Sequence, residues 1–360
     1  QPLYGRPVEM YIRDGRALVI ISADYPGYNI EPVGVVTPAD GVPSVSAAAL
    51  SMSPSYGSQV RIINVTSCQN LAIEGGIDLA GDISDTRLVG DVLYTVANQS
   101  NPYGYRHFGL SYDTQGTTTV TSIHVADPSH IVLVQKLDFP REGYDHHINV
   151  TDKALVIAAS DWRPPCTGPG VDVINPTCST GGYVTKFQLV DIGNTDGRMT
   201  LVTGWTADGL LQDRWGMDVY NETFRVITTA NPWNSHPILT TFTFDGSADV
   251  RKLAELTITL PRPERLTSTR FDGNRAYAVT FEQRDPLITL DLTDPANPKQ
   301  AGVLDVPGWS DHIEPRGDRL IALGHDQDPV TGHWGLQVSL FDVSDIKNPI
   351  MLQRVPFDAG

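Results

Sequence analysis

The stretch Ser268–Phe281, STRFDGNRAYAVTF, followed by Pro286–Gly308, PLITLDLTDPANPKQAGVLDVPG, decides the fold. Its first half is an extended run, a Gly273-Asn274 pair and a second apolar run. That is the signature of two antiparallel strands joined by a tight turn, because residues in such a turn must tolerate positive φ. Its second half is a strand, the rigid turn Asp294-Pro-Ala-Asn-Pro298 and another strand.

The same two-part segment recurs outward from this point in both directions. The first part reads VEMYIRDGRALVII from Val8, DTRLVGDVLYTVA from Asp85, HHINVTDKALVIAA from His146, GMDVYNETFRVITTA from Gly216 and HIEPRGDRLIALG from His312. Each is followed by a second part: QVRIINVTSCQNLAIEGGIDLAG, TVTSIHVADPSHIVLVQKLDFP, YVTKFQLVDIGNTDGRMTLVTGW, LTTFTFDGSADVRKLAELTITLP and LQVSLFDVSDIKNPIMLQRVPF. Helix-period patterns are absent, so the chain reads as all-β. Each pair makes a four-stranded antiparallel unit of roughly 45 to 70 residues, the size and strand count of a propeller blade. A twelve-strand sandwich is the structural alternative, but it does not predict a two-hairpin unit repeating in one order. The expectation is a β-propeller forming a single domain over residues 1–360, with six blades at about 7–81, 82–140, 145–206, 212–261, 265–308 and 311–358.

Composition narrows the function. The chain has 360 residues, 26 Lys+Arg against 42 Asp+Glu, a net charge of -16, 32 Gly and 26 Pro. With that charge and no long basic run it is a poor partner for nucleic acid or anionic membranes, since phosphate contacts need positive charge. No stretch approaches the roughly 18 apolar residues of a transmembrane helix. The sequence opens at Gln1 and reads as a processed or excised product. Of three cysteines, Cys166 and Cys178 share the segment RPPCTGPGVDVINPTC, which reads as a loop closed by a disulfide, and hence as an oxidising compartment, or as two unpaired loop thiols. Cys68 reads as a small buried apolar residue. Four sequons, at Asn64, Asn98, Asn149 and Asn221, matter only in a eukaryotic secretory host.

The segments Thr269–Trp309 and Gly335–Leu352, with Gly5–Ser22 near the start, resemble the secreted bacterial and archaeal β-propeller domain family distantly related to WD repeats. The resemblance runs through nearly the whole chain in spacing and is tight from about Leu266 onward. It implies an extracytoplasmic propeller without an established catalytic motif, in which the chain starts at the second blade. Two arrangements follow: a ring of six blades, or six blades of a larger seven- or eight-bladed ring.

Aligning the copies on their turns assigns positions to faces, because strand side chains alternate. Three residues before the turn lie Tyr11, Arg87, Ile148, Asp218, Arg270 and Glu314; two further back lie Glu9, Asp85, His146, Gly216, Ser268 and His312. Both sets share one face, which lines a central channel if the first strand is innermost, with Arg87 and Arg270 set against Asp218 and Glu314. The intervening set, Met10, Thr86, His147, Met217, Thr269 and Ile313, is more apolar and packs against a neighbouring blade. One reading has the charges satisfy each other. In the other, Glu9, Asp85, His146 and His312 are metal-compatible ligands or catalytic candidates near the channel mouth. Ca²⁺ is the cofactor considered, although Asp326–Asp328 lacks the Gly and Glu of an EF-hand loop.

The connections between hairpins are long at 24–58, 98–116 and 160–182 and carry Tyr103, Tyr105, Trp162, Trp233, His236 and Trp334, aromatics suited to a recognition surface or to covering blade ends. No GxSxG elbow, phosphate loop or dinucleotide fingerprint is present. The expectation is a secreted or cell-surface module that binds a protein or glycan, with Arg87, Arg270, Asp218 and Glu314 beside the aromatics. The alternatives are a metal-assisted hydrolase or lyase on an extracellular polymer and a structural subunit of an extracellular assembly.

Overall fold

The computed structural model describes residues 5–22, 57–67, 69–99, 117–140, 146–163, 181–232, 235–260, 262–281, 285–306, 309–327 and 334–357. They form six four-stranded antiparallel sheets, each built from strands consecutive in sequence. The first holds β1 (Arg6–Arg13), β2 (Arg16–Ser22), β3 (Gly57–Asn64) and β4 (Ala72–Ala80); the second β5 (Asp82–Val89), β6 (Val92–Gln99), β7 (Thr117–His124) and β8 (Val132–Pro140). The third holds β9 (His146–Val150), β10 (Ala154–Arg163), β11 (Gly182–Asp191) and β12 (Thr200–Asp208). The fourth comprises β13 (Met217–Tyr220), β14 (Thr223–Thr229), β15 (Pro237–Thr243) and β16 (Lys252–Thr257). In the fifth are β17 (Arg265–Asp272), β18 (Arg275–Phe281), β19 (Asp285–Asp291) and β20 (Lys299–Val306), and in the sixth β21 (Trp309–Arg316), β22 (Arg319–Gln327), β23 (Trp334–Asp342) and β24 (Ile350–Phe357). These are the six blades that the repeat predicts. No helix among the described residues is long and apolar enough to cross a membrane.

Two compact units emerge: residues 1–141 with 194–199, and residues 142–193 with 200–360. In the first, Leu18, Ile20, Val60 and Ile62 meet Ile83, Leu93 and Ile123 between the first two blades. In the second, Phe187, Phe224, Phe242 and Phe244 gather around Trp205, which stacks on Phe187 at 5.3 Å between ring centres. Further along, Ile227 and Leu239 pack on Ala276, Ala278 and Ile288, and Tyr277 and Val279 pack on Ile313, Leu320 and Ala322. Core strands rich in Val, Ile and Leu bury both faces, as inner strands between stacked sheets must.

Neighbouring blades are also pinned by polar and steric contacts that recur at one place in the fold. In every blade the third and fourth strands slip register once, at Ile62/Ile63, Ser122/Ile123, Leu189/Val190, Thr241/Phe242, Thr289/Leu290 and Leu340/Phe341. The turn of the following blade seats beside this bulge. A Cβ on Gly75 would lie 1.8 Å from the Pro128 carbonyl, and one on Gly302 2.5 Å from that of Ile346, so only glycine lets these backbones approach. The Thr241 hydroxyl donates to the Pro295 carbonyl at 2.6 Å, that of Thr289 to Ile346, and the Gln135 amide brackets Met199 through both its N–H and its carbonyl.

An arginine of one blade holds the inner turn of the next. Arg13 donates to the Gly90 carbonyl at 2.7 Å and pairs with Asp91; Arg275 donates to the Gly317 carbonyl at 2.9 Å and to Asp318 at 3.3 Å. Arg225, almost fully buried, donates to the Gly273 carbonyl and to Asp218, with Tyr220 and Phe271 against its guanidinium at 5.1 and 4.9 Å.

Candidate functional site

In the first unit, β1 and β5 lie side by side and bring Glu9, Asp85 and Arg87 together. Arg87 sits 3.1 Å from Asp85 and 3.6 Å from Glu9, while the Thr86 hydroxyl donates to Glu9 at 2.7 Å and the Tyr11 hydroxyl at 2.9 Å. Burial, the dominant cause, pushes the Tyr11 hydroxyl up to about 12, so it remains a donor to the carboxylate. Both metal-ligand candidates of this unit are therefore engaged with one guanidinium. Among the described residues no group of three His, Cys, Asp or Glu side chains is placed to hold a metal ion.

The second unit has a different arrangement where its inner strands begin. Asp213 precedes a single 3-10 turn, Arg214–Gly216, and accepts from the Trp215 and Gly216 amides at 2.8 and 3.2 Å, which fixes Trp215 at the mouth of β13. The Arg270 guanidinium lies 3.7 Å from the Trp215 ring centre and that of Arg214 4.5 Å. Arg270 donates toward the His312 ring at 3.2 Å, with Glu314 4.0 Å away, and His312 meets Trp215 edge-on. Burial lowers the Arg270 pKa to about 10, leaving it charged at neutrality. Burial first and the Arg270 charge second hold His312 below the ordinary imidazole value.

Beside this stack opens a cleft of about 450 Å³ lined by Gln212, Asp213, Arg265, Leu266, Thr267, Phe281 and Asp311. Thr267 and Asp311 occupy it because β17 and β21 each slip register once, between Leu266 and Ser268 and between Ser310 and His312. A bulge inserts one residue and re-aims its side chain, and here both inserted residues reach the same cleft. Asp311 is held by His325 at 2.9 Å, a carboxylate–imidazole pair at the rim. The cleft offers carboxylate acceptors, a guanidinium, an amide, a hydroxyl and two apolar side chains.

The sequence candidates distribute as follows. Arg270, His312 and Glu314 come together, as do Glu9, Asp85 and Arg87. Asp218 is held by Arg225 of the adjacent strand β14, a correction to its placement against Arg87 and Arg270; the bonded pair is Asp218 with Arg225 across β13 and β14. His146 is buried at the start of β9, and His236 is half-buried with its Nδ1 lacking a partner. Trp162 is 46% exposed and meets Tyr183 edge-on at 5.0 Å. In the intervening set Thr86, Met217, Thr269 and Ile313 are buried, but Met10 is 56% exposed. Tyr103, Tyr105, Trp233, the Trp334 side chain, and Cys68, Cys166 and Cys178 lie outside the described residues. Sequence reasoning missed Asp213, Trp215, Arg265, Asp311 and His325; the signal available was DRWG immediately before a repeat and the one-residue offset upstream of each inner strand.

The model of the beta propeller domain family matches residues 3–359. The chain belongs to that family. Two archaeal proteins resemble this propeller, both described as uncharacterized. One, from Methanocaldococcus jannaschii, is 38% identical over 165 residues, 46% of this chain and 26% of its own length. The other, from Archaeoglobus fulgidus, is 34% identical over 142 residues, 39% of this chain and 21% of its own. The matches thus span about a quarter of those relatives.

Proposed function

We propose that this propeller is a secreted or cell-surface binding module and that its ligand is a glycan docked in the Asp213–Arg265–Asp311 cleft. The observation that carries the reading is the chemistry of that cleft. Asp213 and Asp311 can accept from sugar hydroxyls, Arg265 and Gln212 can donate to ring and hydroxyl oxygens, and Leu266 and Phe281 supply an apolar wall. Such a mixture suits an uncharged, hydroxyl-rich ring better than an anion, which two carboxylates would repel. The exposed Trp162 and Trp215 widen the same kind of surface.

A glycan array followed by titration calorimetry of the best hit tests this. Asp311→Asn and Arg265→Ala are each expected to weaken binding by about tenfold or more, the loss of one charged hydrogen bond. Unchanged affinity in the double variant overturns the placement, and hits confined to proteins make the module a protein binder. The Asp311–His325 pair favours one further reading, general acid–base hydrolysis of a polymer in the same cleft. That reading requires turnover with a pH–rate profile that His325→Gln flattens.

A further inference from the structure

Ile321 and Leu323 on β22 are 38% and 40% exposed, and Leu336 beside them on β23 is 40% exposed. Counted from their turns, Ile321 and Leu323 occupy the positions of Tyr277 and Val279 on β18, since Arg316 pairs with Arg319 as Asp272 pairs with Arg275. Tyr277 and Val279 are 0% and 3% exposed because the sixth blade covers them through Ile313, Leu320 and Ala322. The sixth blade therefore presents, uncovered, the apolar face by which the fifth blade receives it.

The polar half of that joint is repeated as well. Arg319 stands at the position of Arg275 and Arg316 at that of Arg13, the two arginines that hold the next turn's carbonyl in the fifth and first blades. Here their side chains are 45% and 68% exposed and pair with Asp342 and Glu314 of their own blade. In the first blade, Met10 and Ile12 on β1 are 56% and 68% exposed, and Met10 holds the position of the covered Ile313. Its inner turn displays Asp14, whose side chain is 81% exposed. One face thus offers Ile321, Leu323 and two arginines; another offers Met10, Ile12 and a carboxylate at a turn.

We propose that the uncovered face of the sixth blade docks the first blade of a second copy of this chain, with Arg319 and Arg316 taking the Asp14–Gly15 turn as Arg275 takes Gly317–Asp318. The contact is heterologous, so it joins copies head to tail. Its apolar centre and charged rim reproduce the anatomy of the joint between the fifth and sixth blades.

Sedimentation velocity of the 360-residue chain across a concentration series tests it. Mass above that of one copy, rising with concentration, is expected. Leu323→Asp should raise the dissociation constant by about a hundredfold, as truncating or charging a buried anchor does. Because a strand substitution can disturb folding, a charge exchange provides the second test. Arg319→Asp and Asp14→Lys should each weaken association by about tenfold, and together restore it. A single-copy mass at every concentration overturns the proposal, as does association that persists unaltered in Leu323→Asp and in both charge variants.

Discussion

His312 accepts from a guanidinium that it can face only while its own ring is neutral. Its Nδ1 and Nε2 lie 3.2 and 3.3 Å from the same Arg270 nitrogen, and Arg270 is packed face-on against Trp215. Burial and the Arg270 charge both disfavour protonation, so the folded pKa lies below the unfolded value of about 6.5. The sign follows from linkage: the unfolded chain binds the proton more readily, so stability holds above about pH 6.5 and declines as pH falls below it. The melting temperature should drop modestly with acidification through this range, modestly because the side chain is 47% exposed, and His312→Gln should flatten that part of the profile. Residues such as Arg270, His312 and Glu314 were legible because turn alignment fixes the parity of a regular strand. Asp311 and Thr267 were not, because each is the extra residue of a bulge, and parity reverses across a bulge without any mark in composition.

Strand four of each blade carries the contact that orders its neighbours. Gly302 faces Thr289 across β19 and β20 and leaves room for the Ile346–Lys347 backbone. Gly302→Ala should cost about 1–3 kcal/mol, because the clash is with main chain that cannot rotate away. Gly335→Ala is the control: its nearest neighbour is an ordinary 3.6 Å away, and chemical denaturation should show a much smaller loss. The hairpins themselves were readable from Gly-Asp and Gly-Asn pairs, whose glycines do take positive φ, 55° at Gly90 and at Gly273. The turn Asn221–Glu222 also takes positive φ without any glycine, at 47° and 57°. What the pairs could not reveal was which turn seats on which strand, since that depends on a small residue some forty positions away and in another sheet.

At the scale of the chain, an excess of sixteen negative charges sets the background against which every local pair acts. Like charges at the surface repel, and added salt shortens the range of that repulsion from about 30 Å at 10 mM to about 8 Å at 150 mM. The melting temperature should therefore rise by about 1–3 °C over that interval, and a fall would mean that the exposed arginine pairs outweigh net repulsion. Blade count and order were legible because the hairpin pair repeats six times with its turns intact, whereas the cleft draws Asp213, Arg265 and Asp311 from three separate copies. The seats at Gly75, Thr241 and Gly302 bear on how such a chain grows by duplication. A copied blade arrives with its own turn, yet its fit depends on a recess carved in the blade before it. The heritable module is thus the joint rather than the sheet, and blades shuffled by recombination would keep their strands but lose their neighbours.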